Sequence, residues 1–204
     1  MAKIIIIGLT GSIGMGKSAT AEMFAAFGVP IFNADAAVHR LMSKGGAAVH
    51  KVEAAFPGVV KQGAVDRVAL GARVFGDDAA LKKLEAVIHP LVHGEQQRFL
   101  QQARMRRKRL VVLDIPLLFE KGGFQRCDYT VVVSAPYFIQ RARVLGRPKM
   151  TEQKFQSILS KQMPDRMKRR RADFIVESGL GKRFARRQVK RIITAVLERK
   201  RATA

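Results

Sequence analysis

A run of sixteen residues near the start of the chain limits its possible folds more than any other stretch. Residues 3–18 read Lys-Ile-Ile-Ile-Ile-Gly-Leu-Thr-Gly-Ser-Ile-Gly-Met-Gly-Lys-Ser. Ile4 to Ile7 are β-branched and apolar throughout, the pattern of a strand buried on both faces of a parallel sheet. Gly11, Gly16, Lys17 and Ser18 then fit G-x-x-x-x-G-K-[ST], with Gly14 as a further glycine inside the loop. Such a loop curls so that successive backbone N–H groups point inward at a phosphate. The helix that follows adds free amides and the positive end of its dipole. Residues Gly11, Ser12, Ile13, Gly14, Met15, Gly16, Lys17 and Ser18 are therefore the expected nucleotide cradle. Lys17 supplies a full charge for the β- and γ-phosphates of ATP, and Ser18 a hydroxyl for Mg²⁺. Met23, Phe24 and Phe27 give the next segment one apolar face, and Gly28 stops it.

Two further acids stand at strand ends. Val29 to Phe32 reads as a short second strand leading to Asn33-Ala34-Asp35. Asp35 is placed to orient or deprotonate an acceptor hydroxyl, and also to cap the helix Ala36 to Met42, two roles that need not exclude each other. Leu110 to Leu113 is another apolar run, and it delivers Asp114, the expected second Mg²⁺ ligand, directly or through water. Pro116 ends that strand, and Leu117, Leu118 and Phe119 either pack under the helical insertion or line a ligand pocket. Tyr129 to Val133 and Phe174 to Val176 complete about five parallel strands.

Between them, residues 36–109 read as mostly helical, with Asp66 and Asp77-Asp78 as caps and a break at His89-Pro90. This insertion is too long for a simple crossover and is expected to carry the acceptor. His89 is either structural or a substrate contact. Helices Tyr137–Leu145 and 152–163, joined by a break at Arg147-Pro148, suggest a lid whose Arg147 closes on the transferring phosphoryl group. The final helix, about 181–200, points Phe184, Val189, Ile192, Ile193 and Val196 inward. The expectation is an α/β three-layer P-loop sandwich forming one domain over 1–204. Its core is about 1–35, 110–136 and 172–200, its helical insertion 36–109 and its lid 137–171.

Charge is uneven. The net +22 comprises +3 over residues 1–100 and +19 over 101–204, where 27 Lys and Arg face 8 Asp and Glu. The excess is expected to be solvated helix faces that steer anions, with nucleic acid held only non-specifically. A lone cysteine, Cys127, excludes an internal disulfide and reads as a small buried hydrophobe. The absence of any run of about 20 apolar residues argues against a membrane span, and a start that leads directly into the strand argues against a signal peptide, so a cytoplasmic protein is expected.

Beyond these separate signals, the chain resembles the dephospho-coenzyme A kinase family. The likeness rests on Gly8 to Ser18, Ala34-Asp35, Val65-Asp66-Arg67, Leu84-Glu85 with His89-Pro90, Leu113 to Glu120, and Gln162 with Ala172-Asp173. These matches fall in family order over about 3–196. The resemblance implies transfer of the ATP γ-phosphoryl to the ribose 3′-hydroxyl of dephospho-coenzyme A, with Asp35 activating the hydroxyl and Arg147 as the lid arginine. The chain departs from the family pattern at Asn33, Ala19, Pro148 and Glu177-Ser178-Gly179. Two other readings of the residues are a P-loop kinase for a different small acceptor and a nucleotide-regulated nucleic-acid-binding protein. A guanine-reading Asn-Lys-x-Asp motif is missing.

Overall fold

The structure is a computed structural model and describes residues 4–202. Lys3, the other residues of 1–3, and residues 203–204 lie outside the described residues. Five strands form one sheet in the order β2-β5-β1-β6-β7, where β1 is Ile5–Thr10, β2 Ile31–Asn33, β5 Leu110–Asp114, β6 Tyr129–Ser134 and β7 Phe174–Glu177. β1 is central, paired in parallel with β5 (Ile5 opposite Leu110, Leu9 opposite Asp114) and with β6 (Ile7 opposite Tyr129). β6 pairs in parallel with β7.

Alternation decides what each face meets. Ile5, Ile7 and Leu9 of β1, with Val112, Val131, Val133 and Val176, form one apolar face of the sheet. Against it pack Ala21 and Phe24 of α1 (Lys17–Ala26) and Val189, Ile192 and Val196 of α9 (Lys182–Ala202). The inward positions expected of α9 are thus largely those observed, except that Phe184 is only half-buried, with the Arg187 guanidinium 5.7 Å from its ring centre.

The chain divides into two compact units, one made of residues up to Phe32 together with those from Ala103 onward, the other of Asn33–Gln102. The second unit contains α2 (Ala34–Met42), α3 (Val49–Ala55), α4 (Arg67–Val74) and most of α5 (Asp78–Met105) around its own core of Leu41, Val52, Val59, Leu70 and Ile88. Asp66 caps α4, accepting from the N–H groups of Val68 and Ala69, as its place in the sequence predicts. Two features differ from expectation. The unit holds a small antiparallel hairpin, β3 (Val60–Lys61) and β4 (Ala64–Val65), turned by Gln62 and Gly63 at φ 51° and 78°. Positive φ at both central residues suits a tight hairpin turn. In addition, α5 runs unbroken through His89-Pro90 for 28 residues. Proline removes one backbone donor there, but Ile88, Leu91 and Val92 on either side are held in the core of the unit, and that packing outweighs one missing bond.

The first unit also carries α6 (Tyr137–Leu145), α7 (Glu152–Ser160) and α8 (Asp165–Arg171). α8 falls where the sequence reads only as a run of cations. Its Lys168 is fully buried beside Glu120, while Arg166, Arg170 and Arg171 are exposed.

Candidate active site

The loop after β1 is shaped by its glycines. Gly14 and Gly16 adopt φ of 77° and 88°, a region that side chains rarely occupy. A Cβ on Gly14 would stand 2.5 Å from Val144 Cγ2 and 2.9 Å from the Gln140 carbonyl oxygen, so α6 sits directly against the loop. Gly16 is the N-cap of α1 and has no side chain to fold over the free amides of the first turn.

Neighbouring elements fix the loop from outside. Gln140 Nε2 donates to the Ile13 carbonyl at 2.7 Å, and the Ile13 N–H donates to Gln162 Oε1 at 3.1 Å. The buried Met15 side chain turns under the loop, its sulfur 3.1 Å from the Ala135 N–H. Ser178 Oγ donates to the Met15 carbonyl at 2.6 Å and accepts from Arg143 Nη1 at 2.9 Å, while Arg143 Nη2 donates to the Ser178 carbonyl. Thr10 Oγ1 donates to the Pro116 carbonyl at 2.8 Å, joining the ends of β1 and β5. A cavity of about 480 Å³ separates Ser12 and Met15 from Gln156, Leu159 and Met163.

At the mouth of the loop, Lys17 Nζ lies 2.5 Å from Oδ1 of Asp114, whose side chain has no exposed surface. The register puts Asp114 opposite Leu9, at the strand end where the loop begins. Ser18 is exposed in the first turn of α1. Asp114 and Ser18 are oxygen donors, the type Mg²⁺ accepts. Among the described residues no group of three or more His, Cys, Asp or Glu could hold a metal. A divalent ion here would draw its remaining ligands from phosphate and water.

The other anticipated residues are placed as follows. Arg147 is exposed just past α6 and has no ion-pair partner among the described residues, whereas Arg141 is paired with Glu152 and Arg143 is committed to Ser178. Leu118 and Phe119 are buried, and Leu118 packs where a Cβ on Gly8 would lie, 2.7 Å from its Cδ2. Leu117 is half-buried. Asp35 and His89 belong to the second unit, both exposed, Asp35 in the first turn of α2 and His89 on α5. The cap of α2 is Asn33, whose Oδ1 accepts from the Ala36 N–H at 2.7 Å. The capping role considered for Asp35 therefore falls to Asn33, and the Asp35 carboxylate has no partner among the described residues. Cys127 is half-buried and not in the core, short of the fully buried position expected of it; burial first, and the Asp128 carboxylate second, push its thiol up to about 11. Sequence reasoning missed the roles of Gln140, Arg143, Gln162 and Ser178, because each acts through a contact across the fold.

A parallel sheet with this loop on its central strand, a lysine in the helix start and an acid on the adjacent strand defines a P-loop phosphotransferase. The comparisons narrow the class. The family described as dephospho-CoA kinase matches residues 5–181. A dephospho-CoA kinase from Mesorhizobium japonicum is 58% identical over 190 residues, 93% of this chain and 95% of that protein. One from Paramagnetospirillum magneticum is 63% identical over 164 residues, 80% and 77% of the two chains. A solved structure from Thermus thermophilus is 36% identical with a TM-score of 0.83, covering 95% of this chain and 98% of that one. The chain belongs to the dephospho-CoA kinase family. A shikimate kinase from Acinetobacter baumannii, at 16% identity and a TM-score of 0.51 over 97% and 96% of the chains, shares the fold alone.

Proposed function

We infer that the protein transfers the γ-phosphoryl group of ATP to the ribose 3′-hydroxyl of dephospho-coenzyme A, giving coenzyme A and ADP in the last step of coenzyme A biosynthesis. The observation that carries this is the pairing of Lys17 with Asp114 at the P-loop in a chain of this family. The loop amides from Gly11 to Ser18 cradle the phosphates, and Lys17 exchanges its carboxylate partner for phosphate oxygens. Ser18 and Asp114, the latter directly or through water, would hold Mg²⁺, and the ion would supply positive charge to the phosphates. Arg147, on the connection between α6 and α7, is free to bring its guanidinium to the transferring group, and residues 137–171 act as a lid.

Asp35 orients the acceptor hydroxyl and takes its proton. Its exposed carboxylate, unpartnered among the described residues, suits that role better than a capping one. Residues 33–102 serve as the acceptor-binding unit, with His89 as a substrate contact. Leu117 offers apolar surface to the acceptor, and Leu118 and Phe119 hold it in place from the core. No helix among the described residues is long and apolar enough to cross a membrane, and the reading places the enzyme in the cytoplasm.

The test is incubation with ATP, Mg²⁺ and dephospho-coenzyme A, with the product identified by mass and by comparison with authentic coenzyme A. Faster turnover of an acceptor that lacks the pantetheine arm would overturn the substrate assignment and favour another P-loop kinase activity.

A further inference from the structure

The phosphate site uses few of the cations that give this chain its +22 charge. Many of the others sit at the opposite end of the sheet. Five cations lie between Arg104 and Arg109, all exposed, immediately before β5. Leu110 pairs with Ile5 at the start of β1, and the P-loop begins six residues further along that strand, at Gly11. At about 3.3 Å per residue this is roughly 20 Å. The distance is more than twice the Debye length of about 8 Å at physiological ionic strength, so these charges neither neutralise ATP nor steer it strongly.

The same edge gains cations from two other segments. Arg126 is exposed shortly before β6, and Arg170 and Arg171 are exposed shortly before β7. None of these side chains has an ion-pair partner among the described residues. The two acids nearby, Asp128 and Asp173, are already engaged by backbone amides, Asp128 by Ile6 and Asp173 by Thr130. Arg199 of α9 reaches the start of β7, its guanidinium 5.5 Å from the Phe174 ring centre. Two strands, β1 and β6, separate β5 from β7, so the outer clusters are about 14 Å apart along the edge at the usual strand spacing.

We propose that this strand-start edge is a docking surface for the phosphodiester backbone of nucleic acid. Most of the cations are arginines, whose planar forks match phosphate oxygens in pairs. The 14 Å spacing is comparable with the roughly 12 Å width of a duplex major groove, so two clusters can meet the backbones on its two sides. Contact would be to backbone alone, without base reading. A membrane surface fits less well. The apolar face of α9 is consumed by the core, and among the described residues the large hydrophobics exposed near these cations are only Met105 and Met167.

The experiment uses the full chain and a fluorescent 20-base-pair mixed-sequence DNA duplex, titrated by anisotropy over a range of salt. One variant removes the edge, Arg104→Ser, Arg106→Ser and Arg107→Ser together. A second removes equal charge from the start of α9, Lys182→Ser, Arg183→Ser and Arg187→Ser. The edge variant should bind at least about tenfold more weakly near 0.1 M salt and lose roughly 2–3 from the slope of log affinity against log salt. The α9 variant should change the slope by less than about 1. Equal losses in both variants would overturn the proposal, because the binding would then be diffuse charge. Binding to phosphatidylserine vesicles but not to the duplex would also overturn it. Kinase turnover measured in parallel should be unchanged in the edge variant, which separates this result from the phosphotransfer assignment.

Discussion

The ammonium of Lys17 and the fully buried carboxylate of Asp114 lie 2.5 Å apart at the P-loop, although 97 residues separate them in sequence. One strand pairing brings them together, since Asp114 ends β5 opposite Leu9 of β1. The same lysine thus stabilises the loop and serves the reaction, and the two roles separate in a double mutant. Lys17→Ala should lower turnover by roughly 10³-fold, because a charge aimed at the transferring group is lost. It should also lower stability by about 1–3 kcal/mol, because a buried carboxylate loses its cation. Adding Asp114→Asn should restore much of the stability and none of the activity. Paired thermal melts and turnover assays measure both, and recovery of activity in the double mutant would refute the assignment of Lys17.

Asp35 presents the opposite case, an exposed acid with no partner among the described residues. Asn33 satisfies the first turn of α2, so Asp35→Asn should leave the melting temperature within a degree or so of wild type, as expected for a surface change. If Asp35 takes the hydroxyl proton, kcat should fall by about 10²–10⁴-fold with little change in KM for ATP. A loss confined to stability would assign Asp35 to the helix instead.

How much of this was legible in the sequence depended on how local each signal was. The first strand, the glycine loop, Lys17 and the cap at Asp66 are written in adjacent residues, and the structure has them where the pattern puts them. Pro90 misled, because a local rule about proline was overridden by the packing of Ile88, Leu91 and Val92. The hairpin around Gln62-Gly63 is only two residues long on each side, too short for alternation to register. α8 was hidden because its buried residue is Lys168, the reverse of what periodicity looks for. Contacts such as Ser178 to Met15, 163 residues apart, have no sequence signature.

That last contact makes its own prediction. Ser178 and Arg143 clasp the outer carbonyls of the P-loop, and a Cβ on Gly16 would lie only 3.1 Å from Ser178 Oγ, so the hydroxyl is seated close against the loop. Ser178→Ala should raise KM for ATP several-fold, with a smaller effect on kcat, because the loop is less well held before the nucleotide arrives. Ser178→Thr keeps the hydroxyl and should recover most of the affinity. Equal falls in kcat for both variants, with KM unmoved, would show that the clasp has no part in nucleotide binding.

Glu120 and Lys168 give the protein an acid-sensitive joint. Lys168 Nζ is fully buried 2.9 Å from Glu120 Oε1, and the same oxygen accepts from the Met163 N–H at 2.8 Å. Burial pushes the Glu120 carboxyl up, but the Lys168 ammonium and the Met163 N–H outweigh it, so the group sits below its ordinary value of 4.5. A carboxylate depressed in the folded state stabilises the protein above its unfolded pKa, and this contribution is lost as pH falls through the folded value. Glu120→Gln leaves Lys168 buried without its counter-charge and should cost on the order of 3 kcal/mol at pH 7. The gap between wild type and variant should hold from pH 7 to about 5, begin to narrow near 4.5 as the unfolded chain's Glu120 takes up its proton, and close as pH falls through the lower folded value. Urea unfolding across that range measures it. A gap that stays constant down to pH 3 would show that the cost is one of packing and not of charge.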